Sequence, residues 1–394
     1  MPASAIQRTT PQPLAAPPER IASLDVLRGV AILGTLATNI WIFTDPGGFL
    51  GYLLEDTAST TPAGWAAVEA VLQQLSQGKF LGLLTLMFGI GLEIQRRSAL
   101  RAGRRWPGRY PVRAALLLLD GVLHYLLVVE FDVLMGYAVT GAVVAYLLAT
   151  SERAQRTWMV AAAGVHVVLL GLGTAALTAA PAPPPAPGVI GPNPYADGSW
   201  WDLVLLRVDD AVLFRIEPVF IQALSVALFL LGARLLRAGA LAPEGTALRR
   251  RLLVVGAVAL PVDLALGVFG GTAGTVLARY GTAPLVALGL LALVVEVVGR
   301  RERLGAPGRR LAEVGRMALS GYVLQNVVAS ALCYGWGLGL ASRLDPALRV
   351  PATVALYLAV VAVVVTFAHL WLRRFARGPV EWLWNSSYRA LTRR

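Results

Sequence analysis

A chain of 394 residues in which 56% are hydrophobic and only 15% charged, with a mean hydropathy of +0.63, lies outside the range of soluble globular proteins, where about a quarter of residues are charged. Its net charge of +12 would suit nucleic acid in a soluble protein, but 34 of its 35 basic residues are Arg, gathered mostly in short loops between apolar runs. That is the pattern of membrane topology and anionic-lipid contact, so an all-α polytopic membrane protein is expected, with the lipid bilayer and not nucleic acid as its partner.

Residues 1–19, rich in Pro and Ala, contain no apolar core of a signal peptide and read as a disordered cytoplasmic tail. Residues 20–377 read as one transmembrane helical domain, with apolar runs at 24–44, 64–95, 112–130, 133–150, 157–180, 216–236, 249–270, 280–299, 311–338 and 348–372. These make about ten candidate spans. Arg96 to Arg113, Arg153 and Arg156, Arg234 to Arg251, Arg300 to Arg310 and Arg373 to Arg377 alternate with loops poorer in basic residues, where Arg279, Arg343 and Arg349 are the exceptions. The positive-inside rule then predicts cytoplasmic N and C termini. A Pro-rich connection at 181–200 reads as an extended external loop, and Trp200 to Phe214 reads equally as an interfacial helix or as the start of the sixth span. Residues 378–394 read as an amphipathic cytoplasmic segment. Cys333, the single cysteine, cannot form an intramolecular disulfide.

Polar residues inside the apolar runs are the candidates for function. On the first span Arg28, Thr35 and Asn39 fall within about 20° of one line, with Asp25 about 60° away. Asn39 then lies roughly 16 Å beyond Arg28, near mid-bilayer. The bland reading is an interfacial Asp25–Arg28 pair with Thr35 and Asn39 serving helix packing. On the third span Asp120 and His124 are one turn apart and can touch, and Glu130 and Asp132 follow closely. An acid beside an imidazole suits a general base, although a lone His on an apolar helix is more often a packing residue. The ninth span brings Gln325 and Asn326 to similar depth above Arg316, and interhelical hydrogen bonding would explain them equally. Arg215 and Glu217 could form a vestibule above these groups, or an ordinary surface ion pair. Arg113 belongs to the basic loop. No Cys pairing, His-x-x-x-His or Glu-x-x-His spacing suggests a metal site, and neither a P-loop nor a Gly-x-Ser-x-Gly elbow occurs.

Several of these motifs together resemble the YeiB-like family of bacterial polytopic membrane proteins. They are Ser23-Leu-Asp25-Val-Leu-Arg28-Gly29 with Asn39, Phe88-Gly-Ile-Gly91, Gly121-Val-Leu-His124 with Asp132-Val-Leu and Tyr137-Ala, Gly315-Arg-Met-Ala-Leu, and Gly378-Pro-Val-Glu381-Trp-Leu-Trp384. The resemblance implies membership in, or proximity to, a superfamily of transmembrane acyltransferases that carry an acyl group from cytoplasmic acyl-CoA to an acceptor at or across the membrane. The chain departs from the pattern at Ser320-Gly321, where a Thr-Asn pair is usual, and at Asn385, where a basic residue is usual. It also has Asn39 where many related acyltransferases have a His.

The leading expectation is therefore acyl transfer from acyl-CoA to a hydroxyl or amine of a small metabolite, lipid or glycan, in the bacterial cytoplasmic membrane, with no permanently bound cofactor. His124, oriented by Asp120 or Asp132, would serve as base. Asn39 and Asn326 would stabilise the thioester oxygen, and Arg28, with the basic loop, would attract the CoA phosphates. Asp25, Thr35, Arg113, Arg215, Glu217, Arg316 and Gln325 complete the expected binding surface, and a homo-oligomer is compatible with it. A proton-coupled transporter or exporter and a non-catalytic lipid-binding or assembly factor are the alternatives. The enzyme reading expects Arg28 and His124 to border one continuous cavity, with Asp132 or Glu217 at its outer mouth. A wall between them would favour transport.

Overall fold

The structure, a computed structural model, describes residues 22–54, 62–179, 193–301 and 303–392. The expected N-terminal tail and most of the Pro-rich 181–200 connection lie outside them. All regular structure among the described residues is helical. In chain order the helices are α1 (Ala22–Phe43), α2 (Gly48–Leu54), α3 (Ala63–Ser76), α4 (Lys79–Arg101), α5 (Tyr110–Leu127), α6 (Leu134–Leu147), α7 (Glu152–Ala179), α8 (Trp200–Asp209) and α9 (Ala211–Phe220). They continue as α10 (Gln222–Arg237), α11 (Thr246–Phe269), α12 (Gly271–Leu277), α13 (Ala283–Gly299), α14 (Ala306–Arg316), α15 (Ala318–Cys333), α16 (Leu340–Arg343), α17 (Arg349–Leu372) and α18 (Pro379–Thr392).

Among the described residues seven helical segments, one of them α3 with α4 and another α12 with α13, are long and apolar enough to cross a membrane, and the α9–α10 pair, bent by 42°, makes up to eight. Two more of the ten expected runs form the shorter apolar helices α6 and α15. Large apolar side chains on α7, α11 and α17, among them Val167, Leu172, Val258 and Leu358, point outward. In water such faces would be untenable; against lipid tails they are favourable, so this is a multi-pass membrane protein.

α1 is the axis of the bundle and packs against α3, α4, α13, α14, α15 and α17. Its closest neighbour approaches backbone to backbone. A Cβ on Gly315 of α14 would lie 1.8 Å from the Asp25 carbonyl oxygen, and one on Gly29 would lie 2.0 Å from that of Leu311. Glycine is what lets these helices touch, as small residues do in membrane crossings generally. We expect Gly315→Ala to destabilise the protein by about 1–3 kcal/mol through overpacking, read as a lower unfolding midpoint in detergent. Gly171→Ala on α7, where nothing lies within 4 Å of the new Cβ, should be neutral or slightly stabilising.

The run expected as one span at 64–95 is one candidate span, Gly64–Arg101, interrupted between α3 and α4. Gly78 there adopts φ +73°, and a Cβ on it would lie 2.5 Å from the Arg279 carbonyl oxygen. The break brings Lys79 inward to pair with the fully buried Asp263 of α11, which also accepts from Gln74 at 2.8 Å and Thr282 at 2.9 Å. Of the stretch Trp200 to Phe214, the first ten residues form α8 and the last four open α9. Ser199 and Asp202 form a capping box that starts α8 as a separate helix. Leu203, Val204 and Arg207 face inward from it, and Trp201, Leu205 and Val208 face out.

Candidate functional site

The polar groups of α1, α5, α15 and the turn before α6 do converge, and of the two acids expected beside His124 it is Asp132 that pairs. α5 ends at Leu127, and the chain turns back so that Asp132 returns to the His124 ring. His124 Nδ1 lies 3.0 Å from Asp132 Oδ1, and Nε2 lies 3.1 Å from the Asn326 amide nitrogen. An amide nitrogen can only donate, so Nε2 accepts and Nδ1 carries the proton, donating it to Asp132. Asp120, one turn before His124, is not its partner. It is half-buried, and its Oδ2 has no hydrogen-bond partner. The second oxygen of Asp132 accepts the Met135 N–H at 3.0 Å and so caps the start of α6.

Two arginines from α8 and α9 hold the turn that carries Asp132. Arg207, 1% exposed, donates to Glu130 at 3.0 Å and to the carbonyls of Leu126 at 2.9 Å and Val128 at 3.0 Å. Arg215 donates to the carbonyls of Glu130 and Asp132 and lies 4.1 Å over the Tyr125 ring. It braces this turn rather than forming a vestibule wall with Glu217. Arg207 escaped the sequence reading, although its place on the Leu203–Val204 stripe of α8 was a signal that it points inward.

Two cavities flank this centre. One, of about 540 Å³, is lined by Arg28, Arg113 and Arg316 together with Gln95, Glu381 and Trp384. Arg28 pairs with the buried Asp25 at 3.6 Å. Arg113 donates to Gln95 at 3.0 Å and lies 4.4 Å over the Tyr388 ring. Glu381 of α18 accepts the N–H groups of Leu319 at 2.8 Å and Ser320 at 3.1 Å, capping α15. The second cavity, of about 220 Å³, is lined by Thr35, Asn39, Asp132, Glu217 and Arg279 among aromatic side chains. Glu217 there pairs with Arg279 at 2.6 Å. Gln325 donates to Thr35 at 3.4 Å and is fully buried with its carbonyl oxygen unpaired, as is that of Asn326.

Tyr322 and Val133 line both cavities. His124 lines neither: it is 3% exposed and packs behind Tyr322, with ring centroids 4.8 Å apart. The expectation that Arg28 and His124 border one cavity is therefore corrected. His124 is drawn out of the cavities by its two hydrogen bonds, and Asp132 is the member of the chain that faces one. The partition is a thin one of Tyr322 and Val133 rather than a thick wall of Leu and Val.

The fold defines a multi-pass helical membrane protein with a buried polar centre flanked by two cavities. The model for a protein family of unknown function, DUF418, matches residues 235–390. The uncharacterized protein YxaH of Bacillus subtilis (strain 168) is 28% identical over 392 residues, covering 94% of each chain. The uncharacterized protein YeiB of Escherichia coli (strain K12) is 30% identical over 395 residues, covering 93% of this chain and 96% of its own. The chain belongs to the YeiB-like family.

Proposed function

We propose that this protein is a membrane-embedded acyltransferase of the bacterial cytoplasmic membrane. It takes an acyl group from cytoplasmic acyl-CoA and gives it to a hydroxyl or amine of a small metabolite, lipid or glycan. One observation carries the reading: a cavity with three arginines and a smaller cavity with an amide and carboxylates share Tyr322 and Val133 as lining residues. By the positive-inside rule the arginine-rich end faces the cytoplasm, with both termini there.

Arg28, Arg113 and Arg316 suit the phosphates of CoA, since a guanidinium binds phosphate through directed, charge-assisted hydrogen bonds. The acceptor occupies the outer cavity. Its hydroxyl or amine attacks the thioester carbonyl carbon, Asp132 takes the proton lost by the acceptor, and the carbon–sulfur bond breaks. The CoA thiolate leaves toward the arginines, and the proton passes from Asp132 to the thiolate or to solvent. Asn39 donates to the carbonyl oxygen as it becomes negative. In this scheme His124 is a positioning residue that holds Asp132, and Asn326 holds His124. Asn39 and Asp132 are the catalytic residues.

Purified protein in detergent, incubated with radiolabelled acyl-CoA and a cell extract, tests the reading. It requires a labelled product formed in step with free CoA thiol, because detergent removes any gradient but leaves the chemistry intact. The partition at Tyr322 favours a second reading, a proton-coupled transporter closed in its centre. That reading requires no product in detergent and gradient-driven uptake in vesicles.

A further inference from the structure

Tyr322 of α15 lines both cavities, as Val133 does, and it is 2% exposed. A buried hydroxyl ordinarily finds a partner. That of Tyr322 has none, so its phenolic proton is left without an acceptor. The ring is tilted by 35° against His124. Each cavity also keeps unfilled volume at a glycine. Nothing lies within 4 Å of a Cβ built on Gly91, which lines the inner cavity. A Cβ on Gly136, which lines the outer one, would meet only the Gln222 amide oxygen, at 3.9 Å.

We propose that Tyr322 is the gate between the two cavities and the hydrogen-bond donor met by the carbonyl of the acyl group that passes it. The ring separates donor from acceptor while the acceptor cavity is empty, which keeps water from the thioester of bound acyl-CoA. When the ring turns, the two cavities join, and the unclaimed phenolic proton reaches the oxygen that becomes negative during attack. Tyr322 is thereby a catalytic residue beside Asn39. The identity of the passing group rests on the acyl-transfer reading; the gate does not.

The test is chosen to separate the two. In a Cys333→Ala background, a cysteine replaces Thr38, which lines the outer cavity, and the protein is reconstituted in vesicles of known orientation. A small charged thiol reagent supplied from the arginine-rich side should not label it. With Tyr322→Ala added, labelling from that side should rise about tenfold or more, while labelling from the other side stays unchanged and shows that the protein is folded. Tyr322→Phe should label as the parent does, but lower kcat for acyl transfer about 10²–10³-fold with KM for acyl-CoA unchanged, as for loss of an oxyanion donor. Should Tyr322→Ala fail to fold, Tyr322→Cys alone, with Thr38 restored, replaces it. Its thiol should then be labelled from both sides. A Tyr322→Ala protein as closed as the parent, or a Tyr322→Cys thiol reached from one side only, overturns the gate. Full turnover in Tyr322→Phe overturns the donor role. Absence of any turnover in the unsubstituted protein overturns acyl transfer and the donor role with it, and labelling alone then decides the gate.

Discussion

Replacing Arg207 with methionine is expected to lower the unfolding midpoint in detergent by about 5–10 °C, corresponding to the roughly 3–5 kcal/mol lost when one partner of a buried ion pair is removed. Glu130 is fully buried and has Arg207 as its ion-pair partner at 3.0 Å. The same guanidinium satisfies two carbonyls near the end of α5, at Leu126 and Val128. The variant therefore strands a carboxylate and two backbone acceptors at once. Adding Glu130→Gln should recover part of the loss, because the charge is gone while the shape is kept. If the two substitutions simply add, the pair is not coupled, and Arg207 matters for the carbonyls alone. Activity should fall with Arg207→Met even below the melting range, since the turn held by Arg207 carries Asp132.

Asp132→Asn is expected to reduce acyl transfer by about 10²–10⁴-fold, the usual worth of a positioned general base. The amide can still accept the Met135 N–H that caps α6, so the fold should persist. KM for acyl-CoA should stay constant, because the arginines line the other cavity. His124→Ala should cost less than Asp132→Asn, since His124 acts through Asp132. Activity within twofold of the parent in Asp132→Asn would remove this carboxylate from the mechanism, and a larger loss in His124→Ala would return the role of base to the imidazole.

Much of the architecture was legible because lipid imposes a simple rule: long apolar runs become helices, and Arg collects in the loops. The convergence of Arg28, Arg113 and Arg316 on one cavity followed from the same alternation. What could not be read were features set by where helices stop. The sequence offered both Asp120 and Asp132 as partners of His124 and could not choose between them: the Asp132 contact exists because α5 ends at Leu127 and the chain reverses, whereas an uninterrupted helix would have favoured Asp120. The break at Gly78 depends on the backbone of Arg279, 201 positions away in the sequence, lying against it. Arg207 and Glu130 are 77 residues apart, and no helical periodicity connects them. Tyr322 stood in a motif, but its position between two cavities is a property of the assembled bundle.

In acyl transfer as proposed, donor and acceptor arrive from opposite sides of one site. The most direct measurement supplies radiolabelled acyl-CoA to one face of oriented proteoliposomes and acceptor extract to the other, and then reverses them. Labelled product should form only when acyl-CoA is on the face of Arg28, Arg113 and Arg316. Equal product from both arrangements in intact, non-leaking vesicles, or product only with acyl-CoA on the face of Glu217, would contradict it.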